Sequence, residues 1–470
     1  MFNGLVPRPT TTRVRVRELG GGCSGGCSGR KKAFEKPIPQ HWWHPPQGRG
    51  VRTHISDDYL WLPLALALAR YVEATGDSAL LERSVRFLEG HALDPHDDSY
   101  YDLPSPSAVS ASLYEHAQRA LWHGLRFGEH GLPLMGGGDW NDGMNLVGSG
   151  GRGESVWLAW FLCRLVTDFA PLASARGEHM RAARWQSAAQ GWRAALQGPA
   201  WDGAWYRRAF FDDGSPLGAQ ANGECRIDLI AQAWSVLSEA APAERQRIAM
   251  ASADRALSDA ELGLLRLLDP PLAQATPSAG YIQAYPPGVR ENGGQYSHGA
   301  VWAVMAWAQL GQADAAWRAF VAVSPAHRAA HPVLGPIYGL EPYAVAADVY
   351  SQPPYGGRGG WSWYTGSAAG LYRAAVQSIC GLQVQGGRVR LQPALPTHWR
   401  SLHITLRRAG GVYRFTVCAA TAQPEVDAAL AEGAHRLRVG MWMDLRAAGA
   451  ASHFVVVCAA ALPALQPVAA

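Results

Sequence analysis

Apolar residues recur at three- and four-residue spacing over ten stretches of the chain: 60–74, 79–90, 107–123, 155–169, 181–196, 227–240, 244–257, 299–310, 313–323 and 366–379. That spacing lines them along one face of a 3.6-residue helix, so each stretch predicts a packed helix. Gly/Pro/Asp loops separate them, and several loops carry clustered aromatic and polar residues. A long series of helical hairpins with such loops at one end predicts a mainly α fold, an α/α toroid whose inner helices face a central cleft. After Leu382 the period shortens to two, over 382–385, 388–392, 402–406 and 412–417, which predicts the strands of a small sheet. From about Ala419 the chain is Ala-rich and without a clear pattern. Residues 1–40 contain a Gly/Ser/Cys run that cannot form a core. The expected organisation is a low-complexity segment over 1–40, a helical body over 41–380, and a β region with an irregular tail over 381–470.

Composition narrows the chemistry. Only 17% of the 470 residues are charged, against 19 tryptophans and 52 glycines. Aromatic, glycine-softened, charge-poor surfaces suit the apolar faces of sugars. Large helical cores also consume tryptophan, so both uses stay open. A net charge of +4 without a basic block gives no footprint for nucleic acid. The seven cysteines include no C-x-x-C pair, and Cys23 and Cys27 lack His or Cys partners at ligand spacing. No metal site and reduced thiols in the cytoplasm are therefore expected. No membrane span and no signal peptide are expected either.

Four clusters carry the candidate chemistry. Gly136-Gly-Gly-Asp139-Trp140-Asn141-Asp142-Gly places two carboxylates three residues apart around an indole. An acid beside a flat aromatic can protonate a departing glycosidic oxygen; an Asx-rich turn capping the next helix would explain the same letters. His41-Trp-Trp-His through Arg52, Asp57 and Asp58 offers arginine and paired aspartates for sugar hydroxyls, or a capped helix start with an ion pair. Tyr285 and Arg290 precede the turn Glu291-Asn-Gly-Gly, and His298 follows at a helix start. Trp361-Ser-Trp-Tyr364-Thr365-Gly366-Ser367 sets a hydroxyl and a glycine at another helix start. Helix starts of this kind bind anions, although a satisfied histidine and an ordinary cap remain equal readings. Asp212-Asp213-Gly214 and Glu224-Cys-Arg-Ile-Asp228 are weaker, the first being most simply a turn.

Taken together, the strings HWWHPPQGRGVRT, ISDDYLWLP, GDWNDGMNLVG, ECRIDLIAQAW, YPPGVRENGGQYSH, EPYAVAADVYS and GGWSWYTGSA resemble the cellobiose-phosphorylase family of inverting glycoside phosphorylases, and in particular the phosphorylase-like C-terminal domain of cyclic β-1,2-glucan synthases. The resemblance covers about 41 to about 400. It implies an (α/α)6 barrel with a short C-terminal β region. It implies Asp142 as the general acid, with Trp140 lining the site and Asp139 near the same sugar. Arg52 and Asp58, with Asp57 beside them, would hold the non-reducing glucose; Tyr285 and Arg290 would face the acceptor-side sugar. His298, Thr365 and Gly366 would bind inorganic phosphate, a co-substrate rather than a cofactor. A glucan partner, a homodimer and a cytoplasmic location are implied as well, the last as part of a membrane-associated synthase. The family's upstream β-sandwich has no counterpart here, and the expected strands fade past about Val417, as in a truncated or disturbed reading frame. An inverting β-glucan hydrolase and a carbohydrate-binding fragment without turnover are the competing expectations.

Overall fold

The computed structural model describes residues 41–458, apart from 45–46, 62–70, 73–74, 95–96, 409–410 and 446–450. The low-complexity segment, most of the stretch 60–74, and the tail beyond 458 lie outside the described residues, as do Cys23 and Cys27. The helical body is built from α1 (Leu113–His123), α2 (Val156–Ala175), α3 (His179–Gln197), α4 (Leu229–Leu237), α5 (Ala243–Leu257), α6 (Ser297–Gln309), α7 (Ala313–Val323) and α8 (Thr365–Arg373).

Side-chain polarity sorts these helices into two layers. Helices α2, α4 and α6 are apolar nearly all round and buried over most of their length. They pack in sequence, α2 on α4, α4 on α6 and α6 on α8. Helices α3 and α7 bury a single stripe, α5 is buried all round only over 249–253, and the three pack as α3 on α2, α5 on α4 and α7 on α6. An all-apolar helix must sit inside, and an amphipathic one can close the layer outside it. Val156–Ala175 is long and apolar enough to cross a membrane by length and composition, contrary to expectation, but most of it is buried against neighbouring helices. Its charged pair, Arg164 and Asp168, is satisfied internally at 2.9 Å.

Most of the tryptophans lie in the helical core or pack against it. Trp157, Trp160, Trp185, Trp192, Trp234, Trp302 and Trp307 are buried. Trp302 stacks parallel to Trp61 at 6.3 Å and meets Trp234 edge-on at 5.3 Å. The composition signal was therefore largely one of helix packing, while Trp42, Trp43, Trp361 and Trp363 stay exposed outside the helices.

Two predicted helices are corrected. Within 79–90, Ser78–Glu82 forms a single 3-10 turn and Ser84–Glu89 is a strand, paired antiparallel with Ser105–Ser112. Val85, Phe87 and Glu89 alternate with more exposed neighbours, a period of two hidden inside apparent helical spacing. The stretch 107–123 becomes helical only at Leu113, where Ser112 accepts from the Glu115 amide.

The C-terminal region contains the expected strands Leu382–Gln385, Arg388–Leu391, Ser401–Arg408 and Gly411–Cys418. Its tail is more regular than its letters suggest. Helix Gln423–Ala431 leads to strand Ala451–Val457, which pairs in parallel with Gly411–Cys418 on one side and His435–Arg436 on the other. The alanine-rich run is a crossover of the kind that parallel pairing requires.

Candidate active site

The Gly136–Asp142 loop is held from beneath. Gly136 and Gly138 take positive φ angles of 61° and 121°, which an L side chain resists. The Gly138 carbonyl then accepts from both the amide (2.9 Å) and the hydroxyl (3.0 Å) of Ser56. This stitches the loop to the segment carrying Asp57 and Asp58. Asp142 opens a one-turn helix, Asp142–Met144, packed against a second turn, Tyr281–Ala284. Its carboxylate is 41% exposed, lies 3.8 Å from His41 Nε2, and hydrogen-bonds the Tyr281 hydroxyl. An acid meant to meet a substrate needs this kind of access.

The neighbouring carboxylates lack it. Asp139 is fully enclosed: Arg208 grips it with two N–H groups at 2.7 and 2.5 Å, Ser155 Oγ donates at 2.6 Å, and the Asn141 amide at 3.0 Å. Sequence reasoning set Asp139 near the sugar; the structure makes it a strut beneath the loop. Asp57 is also buried and takes the Trp61 indole N–H. Burial, then the charges of Asp58 and Asp139, push its pKa well above the carboxylate range. Asp58 faces the site instead, accepting from Thr53 Oγ1 at 2.6 Å and pairing with His41 Nδ1 at 2.7 Å. Burial works against a charged His41, but the hydrogen bond and charge of Asp58, with Asp142 beyond, raise its pKa above 6.5. Arg52 is buried at a different place: it donates to the His91 carbonyl at 2.7 Å and feels Asp102.

A second wall comes from the loop before α6. Arg290, at a positive φ of 51°, lies between the rings of Tyr285 (5.0 Å) and Trp361 (4.8 Å) and pairs with buried Glu291 at 3.2 Å. Its amide donates to Asp348 Oδ2 at 2.8 Å. Asp142 hydrogen-bonds Tyr281 and acts electrostatically on Tyr285 and Tyr364, so this wall and the Asp142 turn are neighbours.

The two helix starts converge here too. The Tyr296 and Tyr364 hydroxyls are 3.1 Å apart, immediately before α6 and α8. Trp140 Nε1 donates to His298 Nδ1 at 3.1 Å and packs edge-on to Tyr296. Burial lowers the His298 pKa to about 4. The ring is therefore neutral at pH 7, with Nδ1 an acceptor and Nε2 carrying the proton. Thr365 is exposed at the first turn of α8, with Gly366 beside it.

The structure thus gathers Asp142, Asp58, Trp140, Tyr285, Arg290 and His298, with Thr365 and Gly366 directly following Tyr364. It sets Arg52, Asp57 and Asp139 apart in enclosed contacts. His41, Tyr281, Glu291 and Tyr364 join the site without having been singled out. His41 and Glu291 stood inside quoted clusters, and Tyr281 lies four residues before Tyr285, so local density was the available signal. Asp212, read as a turn residue, accepts the amides of Gly150, Arg152 and Gly153 (2.6–2.8 Å) and shapes the loop from outside.

Residues 31–381 match the catalytic domain of the glycosyl hydrolase 94 superfamily. The chain belongs to that family. It is 44% identical over 415 residues to the cyclic beta-(1,2)-glucan synthase NdvB of Rhizobium meliloti (strain 1021), covering 88% of this chain and 14% of that protein. Solabiose phosphorylase of Paenibacillus borealis is 30% identical over 77% of this chain and 45% of its own length. Cellobionic acid phosphorylase of Neurospora crassa is 27% identical over 77% and 43% respectively. The chain therefore spans a seventh of the synthase and under half of each phosphorylase. Membership of the glycosyl hydrolase 94 superfamily supports a carbohydrate-active enzyme with a sugar substrate, as the loops had implied.

Proposed function

We propose that this chain carries out inverting phosphorolysis of a β-linked glucan, or the reverse synthesis, with Asp142 as general acid and inorganic phosphate as nucleophile. The observation that carries the reading is the exposure of the Asp142 side chain, 41% against 11% for Asp58 and 7% for Glu291. An inverting hydrolase needs a second carboxylate roughly 6.5–9.5 Å from the acid to activate water. Phosphate needs no such base, being an anion already. It needs N–H and O–H donors, and His298 Nε2–H, the Thr365 hydroxyl and the N-terminal amides of α8 are of that kind. Phosphate would attack the anomeric carbon as Asp142 protonates the leaving oxygen, giving α-glucose 1-phosphate.

Asp58 and Trp140 would hold the non-reducing glucose, and Tyr285 and Arg290 the acceptor-side sugar. The likeness to a cyclic β-1,2-glucan synthase favours β-1,2 linkages. We further take 41–380 as an (α/α)6 barrel, the α2–α4–α6–α8 row forming part of its inner ring. A homodimer and a cytoplasmic location belong to the same reading.

The test is incubation with β-1,2- and β-1,4-glucooligosaccharides, with and without phosphate, assaying glucose 1-phosphate. Phosphate-dependent product that falls by about 10² or more in Asp142→Asn is expected. Glucose released equally without phosphate would point to hydrolysis, and glucan binding without turnover to a binding fragment.

A further inference from the structure

We infer that Arg208, a residue remote from substrate, is the positioning residue that aims Asp142; the inference rests on the reading of Asp142 as the acid. Arg208 is completely buried and is the hub of an ion cluster below the catalytic loop. Its two terminal nitrogens hold Asp139 in a fork-to-fork pair, and its Nε stands 3.4 Å from Asp228 Oδ2. Each of those aspartates governs a backbone start. Asp139 Oδ1 takes the Asn141 amide, one residue before Asp142, and its Oδ2 takes Ser155 Oγ, the cap of α2. Asp228 caps α4 through the amides of Ile230 and Ala231 (2.9 and 3.4 Å). One guanidinium therefore ties the acid's loop to the first turns of two inner helices.

The geometry admits little substitution. A planar fork satisfies both oxygens of Asp139 at once, which a lysine ammonium cannot do. Arg208 also supplies the positive charge among three buried acids, Asp139, Asp228 and Asp57, the last close enough to Asp139 to feel its charge. Gly218 is cut to fit as well: a Cβ there would lie 2.5 Å from the Arg208 amide. Nothing here reaches the open side of the loop, so Arg208 acts through Asp139 and not on sugar or phosphate.

The test compares Arg208→Lys, Arg208→Met, Asp139→Asn and the Arg208→Met/Asp139→Asn double variant with the parent. Displacing a catalytic group by about 1 Å can cost 10²-fold in rate. The expected result is a kcat lowered about 10- to 100-fold in Arg208→Lys with KM for phosphate and glucan within twofold of the parent. The double variant should be no slower than the slower single variant, since both break one device. Unchanged kcat in Arg208→Lys, or rate losses that multiply in the double variant, would overturn the inference. If Arg208→Met proves insoluble, the lysine variant decides. If the parent itself forms no glucose 1-phosphate, the functional reading fails separately. The Arg208→Lys crystal structure then judges the positioning role alone: an Asp142 carboxylate shifted by about 1 Å or more supports it, and a superposable one refutes it.

Discussion

Trp140 donates its indole N–H to Nδ1 of His298 across 3.1 Å, joining the D-W-N-D loop to the first turn of α6. The bond fixes the imidazole tautomer and leaves Nε2–H as the outward donor. Replacing Trp140 by Phe keeps most of the ring and removes the donor. One neutral hydrogen bond contributes about 1 kcal/mol. The expected outcome is a rise of roughly fivefold in KM for phosphate with kcat little altered, read from initial rates at varied phosphate.

His298 should stay neutral through the physiological range. Its pKa of about 4 lies below the 6.5 of an unfolded histidine. On acidification the unfolded chain takes this proton first, so stability from the neutral ring is complete above about 6.5 and is lost as pH falls toward 4. Asp228 and Asp348, raised by burial to about 6, act with the opposite sign, adding stability below about 4 that is lost as pH rises through 6. Global unfolding therefore mixes the two. The clean measurement is the His298 ring in a nitrogen–proton NMR titration, where no titration step between pH 8 and 5 is expected. In Asp228→Asn the loss of stability between pH 4 and 6 should shrink.

Glu291 depends on Arg290. Its side chain is 7% exposed and pairs with that guanidinium. Arg290→Ala strands a buried charge, at a cost on the order of 2–3 kcal/mol. Chemical denaturation should show that loss, and the Arg290→Ala/Glu291→Gln double variant should recover most of it. Glucan KM should rise in both, because the stack over Tyr285 and Trp361 goes with the arginine.

Much of this site was legible because its loops are dense in groups that ordinary turns do not need. Asp142, Trp140, Tyr285, Arg290 and His298 all stood in such runs. Burial was not legible. Asp139 and Asp58 read alike in sequence, yet one is sealed against Arg208 and the other faces His41. Arg208 itself sits among Tyr206, Arg207 and Phe210 with no motif around it; only the fold brings it 69 residues back to Asp139. The helical body was visible in its period, whereas the strand Ser84–Glu89 was missed because six residues satisfy both periods.

The loop opposite the acid has its own steric test. Gly280 has φ of 123°, and a Cβ there would come within 2.1 Å of Asn145 Oδ1 and 2.8 Å of the Gly143 carbonyl. Gly280→Ala must push the Tyr281 turn off the Asp142 turn. A loss of about 1–3 kcal/mol in stability is expected, with a lower kcat that thermal unfolding and rate assays on one preparation would show together.

Strand Ala451–Val457 lies between two strands that precede it in the chain, Gly411–Cys418 and His435–Arg436. During synthesis the middle of that sheet is thus the last of the three to emerge from the ribosome. Until it does, Gly411–Cys418 waits with one row of backbone amides and carbonyls open to any passing strand. A stop codon ahead of residue 451 would make that waiting permanent, and such a product is expected to be cleared or to aggregate even though every residue of the candidate site is intact.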